Sequence, residues 1–293
     1  MKHLSLYCIL LASLLAFSCT GKFDGENGTL EEFYEIGNGK TLKKSTEYKN
    51  GIKNGVAKEF YMNTVLKKDA HYKKGYLDGE VKHFFENGKP KAEEHFKEGK
   101  RDGLYKYYYK NGNVEVERVY SNGELNGISN KYYKEGTPES QYNYKLGKLQ
   151  GEQKEYYSNS QLKHIAYYDN GEPGIGLREY KIDGSEINNT FTIGVKEINK
   201  IAMNNEYQYH FSLSPKKGNY KLYEGALRDN KYYDDNKYYD RIMYDKVGGY
   251  RRYIVYSGDF VMTDLNIIAV KETEMGNKMI VTKKIRVSLN NHY

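Results

Sequence analysis

An all-β fold follows from three observations in the sequence. Aromatic and glycine residues recur with a strict 24-residue period from Gly51 to Gly171. Of 293 residues, 33 are tyrosine and 29 glycine, against 4 prolines and no tryptophan. That balance favours short strands and tight turns over helices. After Gly184 the period stops, and over 188–293 segments of strand character alternate with turn signals. The fold class read from this is a sheet of repeated β-hairpins over 33–187, followed by a β-sandwich of immunoglobulin-like type over 188–293. A mean hydropathy of −0.88 excludes a polytopic membrane protein. The wealth of aromatic residues argues against a disordered chain.

The first element is an export signal over residues 1–18. Met1, Lys2 and His3 precede an apolar run, Leu4–Phe17, too short to span a bilayer at ~20 residues. The run ends in Leu15-Ala16-Phe17-Ser18-Cys19, which resembles the lipobox of bacterial lipoproteins. That resemblance implies acyl modification at Cys19 and a membrane partner reached through the N-terminal lipid, with residues 19–32 as tether. Cys8 lies inside the signal, so the mature chain keeps Cys19 alone, with no disulfide framework and no cysteine nucleophile. Thr20 stands where an aspartate often marks inner-membrane retention. The expected localisation is therefore the cell envelope, at the outer membrane rather than the inner. An exported domain does not meet nucleic acid, so the net charge of +7 carries no DNA or RNA reading.

The repeats come next. Tyr48-x-x-Gly51-x-x-Asn54-Gly55 returns as Tyr72-x-x-Gly75-x-x-Asp78-Gly79 and as Phe96-x-x-Gly99-x-x-Asp102-Gly103. Tyr120-x-x-Gly123-x-x-Asn126-Gly127 and Tyr144-x-x-Gly147-x-x-Gln150-Gly151 follow, and a sixth unit opened by Tyr168 decays at Pro173. The unit resembles the MORN repeat in its bacterial variant form. The resemblance covers about half the chain and implies hairpins stacked into an elongated sheet that serves scaffolding or association. Bacterial members are often labelled antitoxins, a role at odds with a lipobox.

The residues between the glycine pairs support hairpins independently. Asn87-Gly88 and Asn111-Gly112 are favoured centres of a two-residue type I′ turn. With Asn87 and Gly88 as the loop, the register places Phe96 opposite Gly79, Tyr72 opposite Gly55 and Tyr120 opposite Gly103, each aromatic covering a glycine. It also sets Tyr61 opposite Leu66, Phe85 opposite Pro90, Tyr109 opposite Val114 and Tyr157 opposite Leu162, on what is taken as the inner face. Lys58 then faces Asp69, Lys82 faces Glu93 and Lys106 faces Glu117, an ion-pair ladder rather than a basic stripe. In the fourth unit the pair becomes Asn130 with Gln141.

The outer face keeps one ring per repeat: Phe60, Phe84, Tyr108, Tyr132 and Tyr156, with Tyr180 in the same slot of the decaying unit. Each repeat adds two strands at ~4.8 Å, so the rings stand about 10 Å apart. They form a candidate binding stripe for a protein or glycan partner of the envelope. The competing reading packs them along the sheet or under the C-terminal domain.

The last hundred residues supply seven strand segments: Phe191–Ile198, Glu206–Leu213, Tyr220–Leu227, Tyr238–Tyr244, Tyr250–Tyr256, Asn266–Lys271 and Lys278–Leu289. That number suits an immunoglobulin-like sandwich, without its cysteine and tryptophan hallmarks. The acidic stretch from Asp229 to Asn236 departs from a calcium-loop pattern and reads as a solvated loop. His71 and His95 share one repeat slot, too far apart to hold one zinc. No nucleophile elbow, zinc helix or phosphate loop is present. The chain is thus read as non-catalytic, with no catalytic residue, metal or cofactor expected. An envelope assembly factor without a small ligand is the alternative, and a carbohydrate-active enzyme the more distant one.

Overall fold

A computed structural model describes residues 23–215, 219–229, 231–234, 240–244 and 249–291. The signal, Cys19 and parts of the segments expected at 229–236 and 238–244 lie outside the described residues. The chain divides into two compact units, Met1–Asn126 with Lys134–Gly136, and Gly127–Tyr133 with Thr137–Tyr293.

In the first unit nine strands form antiparallel hairpin sheet: β1 (Gly28–Ile36), β2 (Gly39–Lys49), β3 (Ile52–Phe60), β4 (Leu66–Lys73), β5 (Tyr76–Phe84), β6 (Pro90–Lys97), β7 (Lys100–Arg101), β8 (Gly103–Tyr108) and β9 (Val114–Ser121). Residues 28–32, expected in the tether, belong to β1. Their backbone pairs with β2 from Gly28↔Tyr48 onward. The second unit carries the same architecture in β10 (Glu124–Tyr132), β11 (Pro138–Lys145), β12 (Lys148–Leu149), β13 (Gly151–Tyr156), β14 (Leu162–Asp169), β15 (Glu172–Pro173), β16 (Arg178–Tyr180) and β17 (Glu186–Ile187).

The motif glycines and aromatics have distinct physical jobs. Gly79 pairs with Phe96, Gly55 with Tyr72 and Gly103 with Tyr120, as the expected register requires. These glycines also adopt φ of +107°, +115° and +116°, a region closed to side-chain-bearing residues. The Asp or Asn before each of them serves the next repeat. Asp102 Oδ2 accepts the backbone N–H of Asn122 at 3.0 Å, and Asn54 Oδ1 that of Lys74 at 3.1 Å.

Two-residue turns lie elsewhere than expected. They are Lys74-Gly75, Glu98-Gly99, Asn122-Gly123 and Leu146-Gly147, with φ near +50° at the first residue and positive φ at the second. Around Asn87-Gly88 the loop has three residues. Phe85 N–H donates to the Lys89 carbonyl and Gly88 N–H to the Phe85 carbonyl, at 2.8 and 2.9 Å. Only Gly88 has positive φ, because Asn87 uses its Oδ1 to accept the Lys89 N–H at 3.1 Å. This loop shifts the register by one residue before it. Leu66 faces Phe60, not Tyr61; Pro90 faces Phe84, not Phe85; Val114 faces Tyr108, not Tyr109; and Leu162 faces Tyr156, not Tyr157.

The described residues between 192 and 290 of the second unit form two four-stranded antiparallel sheets. Their strands are β18 (Thr192–Lys200), β19 (Glu206–Ser214), β20 (Tyr220–Glu224), β21 (Asp240–Arg241), β22 (Met243–Tyr244), β23 (Gly249–Ile254), β24 (Phe260–Glu272) and β25 (Lys278–Asn290), with one helical turn, α1 (Ile201–Asn204). The orders are β18-β19-β23-β22 and β21-β20-β24-β25. In chain order these are the first, second, sixth and fifth strands against the fourth, third, seventh and eighth, the arrangement of an immunoglobulin-type sandwich. One core between the sheets contains Phe211, Leu213, Leu222, Leu265, Ile267 and Val287, each at most 2% exposed. Aliphatic and aromatic packing thus fills a layer that a disulfide and a tryptophan occupy in antibody domains. The third segment stops at Glu224 rather than Leu227, and the sixth extends to thirteen residues.

Candidate binding surface

Side chains alternate between the two faces of each repeat strand, and each face has its own chemistry. One face of the first unit carries a narrow row of small residues across adjacent strands: Ala57, Ala70 and Val81, at 8%, 1% and 1% exposure. The next position in that row is Glu94. Its carboxylate accepts from Arg101 Nε at 2.7 Å and lies 3.4 Å from His83 Nε2. The contact with His83 chiefly, and then Arg101, holds Glu94 below the usual glutamate range against the opposing effect of burial. The Arg101 guanidinium also stands 5.6–5.9 Å from the ring centres of Phe96, Tyr105 and Tyr120.

The other face carries the charge ladder and the candidate stripe. Lys58, Asp69, Lys82, Glu93, Lys106 and Glu117 are cross-strand neighbours in that order, alternating in sign. Lys58 reaches Asp69 at 3.8 Å and Lys106 reaches Glu117 at 3.0 Å. Lys82 departs from expectation and contacts Glu80 on its own strand at 3.0 Å. Glu93 instead accepts the Tyr108 hydroxyl at 3.0 Å. Burial first, and this hydrogen bond second, push the Tyr108 phenol up to about 12.

Phe60, Phe84 and Tyr108 of the first unit are half-buried, each beside its cross-strand partner Leu66, Pro90 or Val114. Tyr132 and Tyr156 of the second unit are half-buried too, opposite Pro138 and Leu162. Their backbone is tied in as well. Tyr61 donates its hydroxyl to the Phe84 carbonyl at 2.9 Å, and Tyr133 donates to the Tyr156 carbonyl at 2.7 Å. The expected register pairs Tyr61 and Tyr157 with aliphatic residues, but their hydroxyls donate to the Phe84 and Tyr180 carbonyls and so stitch one repeat to the next. The signal for this was the tyrosine preference itself, since a purely apolar slot has no need of a hydroxyl.

The turns repeat the stitching. Asn63 Nδ2 donates to the Glu86 carbonyl, Asn111 Nδ2 to the Lys134 carbonyl and Asn159 Nδ2 to the Ile182 carbonyl, at 2.9–3.2 Å. These motif positions therefore act on an adjacent repeat, which is how a stacked array obtains stability from nearest-neighbour contacts.

The family model described as a MORN repeat variant matches residues 77–98, 101–122 and 149–170. These three stretches are MORN-variant repeats. Each matched stretch is one hairpin, from the residues around a positive-φ glycine to the aromatic that covers it. The hairpins of Gly55 with Tyr72 and of Gly127 with Tyr144 have the same pairing. MORN repeats are generally binding or scaffold modules. No curated protein matches the chain.

Among the described residues no group of three or more His, Cys, Asp or Glu side chains is placed to hold a metal ion. His71 and His95 have a structural use. Their Cβ atoms lie 3.7 and 3.2 Å from the positions that a Cβ on Gly79 or Gly103 would take.

Proposed function

We propose that this chain is a non-catalytic lipoprotein of the cell envelope, held to the membrane through an acylated Cys19 and acting as a scaffold through its repeat face. The observation that carries the scaffold reading is the periodic face of the first unit. There an aromatic–aliphatic pair recurs in three successive hairpins beside a charge ladder of alternating sign. A partner meeting that face finds the same chemistry at each repeat, so many weak contacts add along one direction. Half-buried rings supply apolar contact area at low entropic cost. The lipobox-like Leu15–Cys19 supports the anchor, and an exported, anchored chain points to an envelope protein or glycan partner rather than a cytosolic toxin.

Substituting Phe84 and Tyr108 together by Ser tests the scaffold. Envelope partners crosslinked to the wild-type chain should be lost while the thermal unfolding of the variant stays two-state and close to wild type. Retention of the same partners sinks the stripe as the contact surface. Unfolding of the double variant instead assigns these rings to packing, as the assembly-factor reading expects. Cys19→Ser tests the anchor. The variant should move from the membrane to the soluble fraction and lose acyl labelling, and unchanged fractionation would refute lipidation there.

A further inference from the structure

The sandwich has an incomplete sheet. β24 pairs with β25 along its whole length, from Phe260↔Asn290 to Glu272↔Lys278. On its other side β20 covers only Ile267–Lys271. Gly225 N–H still donates to the Asn266 carbonyl at 2.9 Å, and among the described residues the pairing goes no further. In an antiparallel strand both main-chain groups of a residue point to one side, and successive residues alternate. Since the Asn266 carbonyl faces the β20 side, the N–H and C=O groups of Asp264, Met262 and Phe260 face it too. Among the described residues no strand pairs with them there.

The side chains beside this edge are apolar and exposed. Phe260 and Met262 are each 56% exposed and sit at alternate positions, hence on one face. The edge is also held in place. Asn291, 2% exposed, donates its side-chain amide to the Val255 carbonyl at 2.8 Å and its backbone N–H to the Asp259 carbonyl at 3.2 Å. Gly258 N–H donates in turn to the Asn291 carbonyl at 2.8 Å. Free edges in monomeric proteins are usually blunted by lysine, proline or a bulge. Phe260–Leu265 carries no Lys or Pro, and its pairing with β25 runs without a register shift.

We propose that Phe260–Asp264 is a strand-addition site that takes an extended segment of a partner polypeptide, apolar at alternate positions. The unpaired main-chain row calls for a strand rather than a helix or a lipid surface, because only another extended backbone supplies matching donors and acceptors. Phe260 and Met262 select apolar side chains on the same face. The Asp264–Lys284 ion pair, at 2.9 Å, sets the polar limit of that face. The site is distinct from the repeat face and stands or falls without it.

Hydrogen exchange on the full chain carrying Cys19→Ser tests the site. The probe is a nine-residue synthetic peptide alternating valine and threonine, with a lysine at each end. In the free chain the Met262 and Asp264 amides should exchange about ten-fold or more faster than that of Ile268, which pairs on both sides. Saturating peptide should slow both amides by about ten-fold. Met262→Pro should fold, because it removes only an outward-facing N–H, and should abolish the protection. Slow exchange in the free chain, unfolding of Met262→Pro, or no response to the peptide overturns the proposal. A dimer in light scattering that dissociates in Met262→Pro would make the occupant a second copy, and would overturn the assignment to a partner chain.

Discussion

Glu94 shows how one substitution within a repeat changes the chemistry of a row. Its slot holds Ala57, Ala70 and Val81 in the neighbouring strands, and a carboxylate there survives only because Arg101 and His83 meet it. The folded state keeps this carboxyl more acidic than the unfolded chain does, so it contributes stability above the ordinary glutamate range. That contribution disappears as pH falls through the depressed folded value. Glu94→Gln should therefore cost about 2 kcal/mol in urea unfolding at neutral pH. The gap to wild type should close as pH falls through the depressed folded value. A gap independent of pH would mean that shape rather than charge is lost. His164 in the second unit adds to the same trend. Burial lowers its pKa, opposed by Glu155, so protonation below the usual histidine range favours the unfolded chain. Neither group was singled out from the sequence. The available signal was the break in a row of small residues, which becomes visible only once the register is known.

At the scale of the hairpin, the register from glycine to aromatic was legible from a two-residue loop because the extra residue of the real loop is offset by a one-residue bulge beside Phe84. The turn type was not. Asn-Gly reads as a two-residue turn on its own, yet the Asn side chain accepts from the residue two ahead and opens the loop to three residues. Thr64 and Ser160 take the positive-φ place of Gly88 in other repeats, a sign that one residue rather than two needs it. The true two-residue turns were hidden by Lys74, Glu98 and Leu146, which lack the usual preference for that conformation. Leu146 combines φ +50° with an apolar side chain left 66% exposed. Leu146→Asn should stabilise the protein by about 1 kcal/mol, since Asn tolerates the left-handed region and no buried contact is lost. A rise of about 2–4 °C in thermal midpoint is expected, and a fall would show that Leu146 makes an apolar contact worth more than the backbone relief.

At the scale of the molecule, the second unit joins the last repeats to the sandwich through polar groups, a union that neither half of the sequence announces. Arg228 donates to the Asp169 carboxylate and carbonyl, Tyr233 N–H donates to the Pro173 carbonyl, and Ile175 N–H donates to the Lys231 carbonyl. Glu179 of β16, 1% exposed, accepts from Thr273 Oγ1 and Asn277 Nδ2 at 2.7 Å each, and from Asn189. An array of stacked hairpins needs a cap at its ends. Here the loop between β24 and β25 and the segment after β20 supply it for the final repeats, which explains why the 24-residue pattern decays where it does. Glu179→Ala leaves three donors without their acceptor in a buried place and should cost about 3 kcal/mol or more. Glu179→Gln, which keeps one carbonyl oxygen for the same donors, should cost less. Hydrogen exchange should rise together in β16 and in the Thr273–Asn277 turn if the two are one cooperative structure. Acceleration confined to the turn would show that the repeats hold their end without the sandwich.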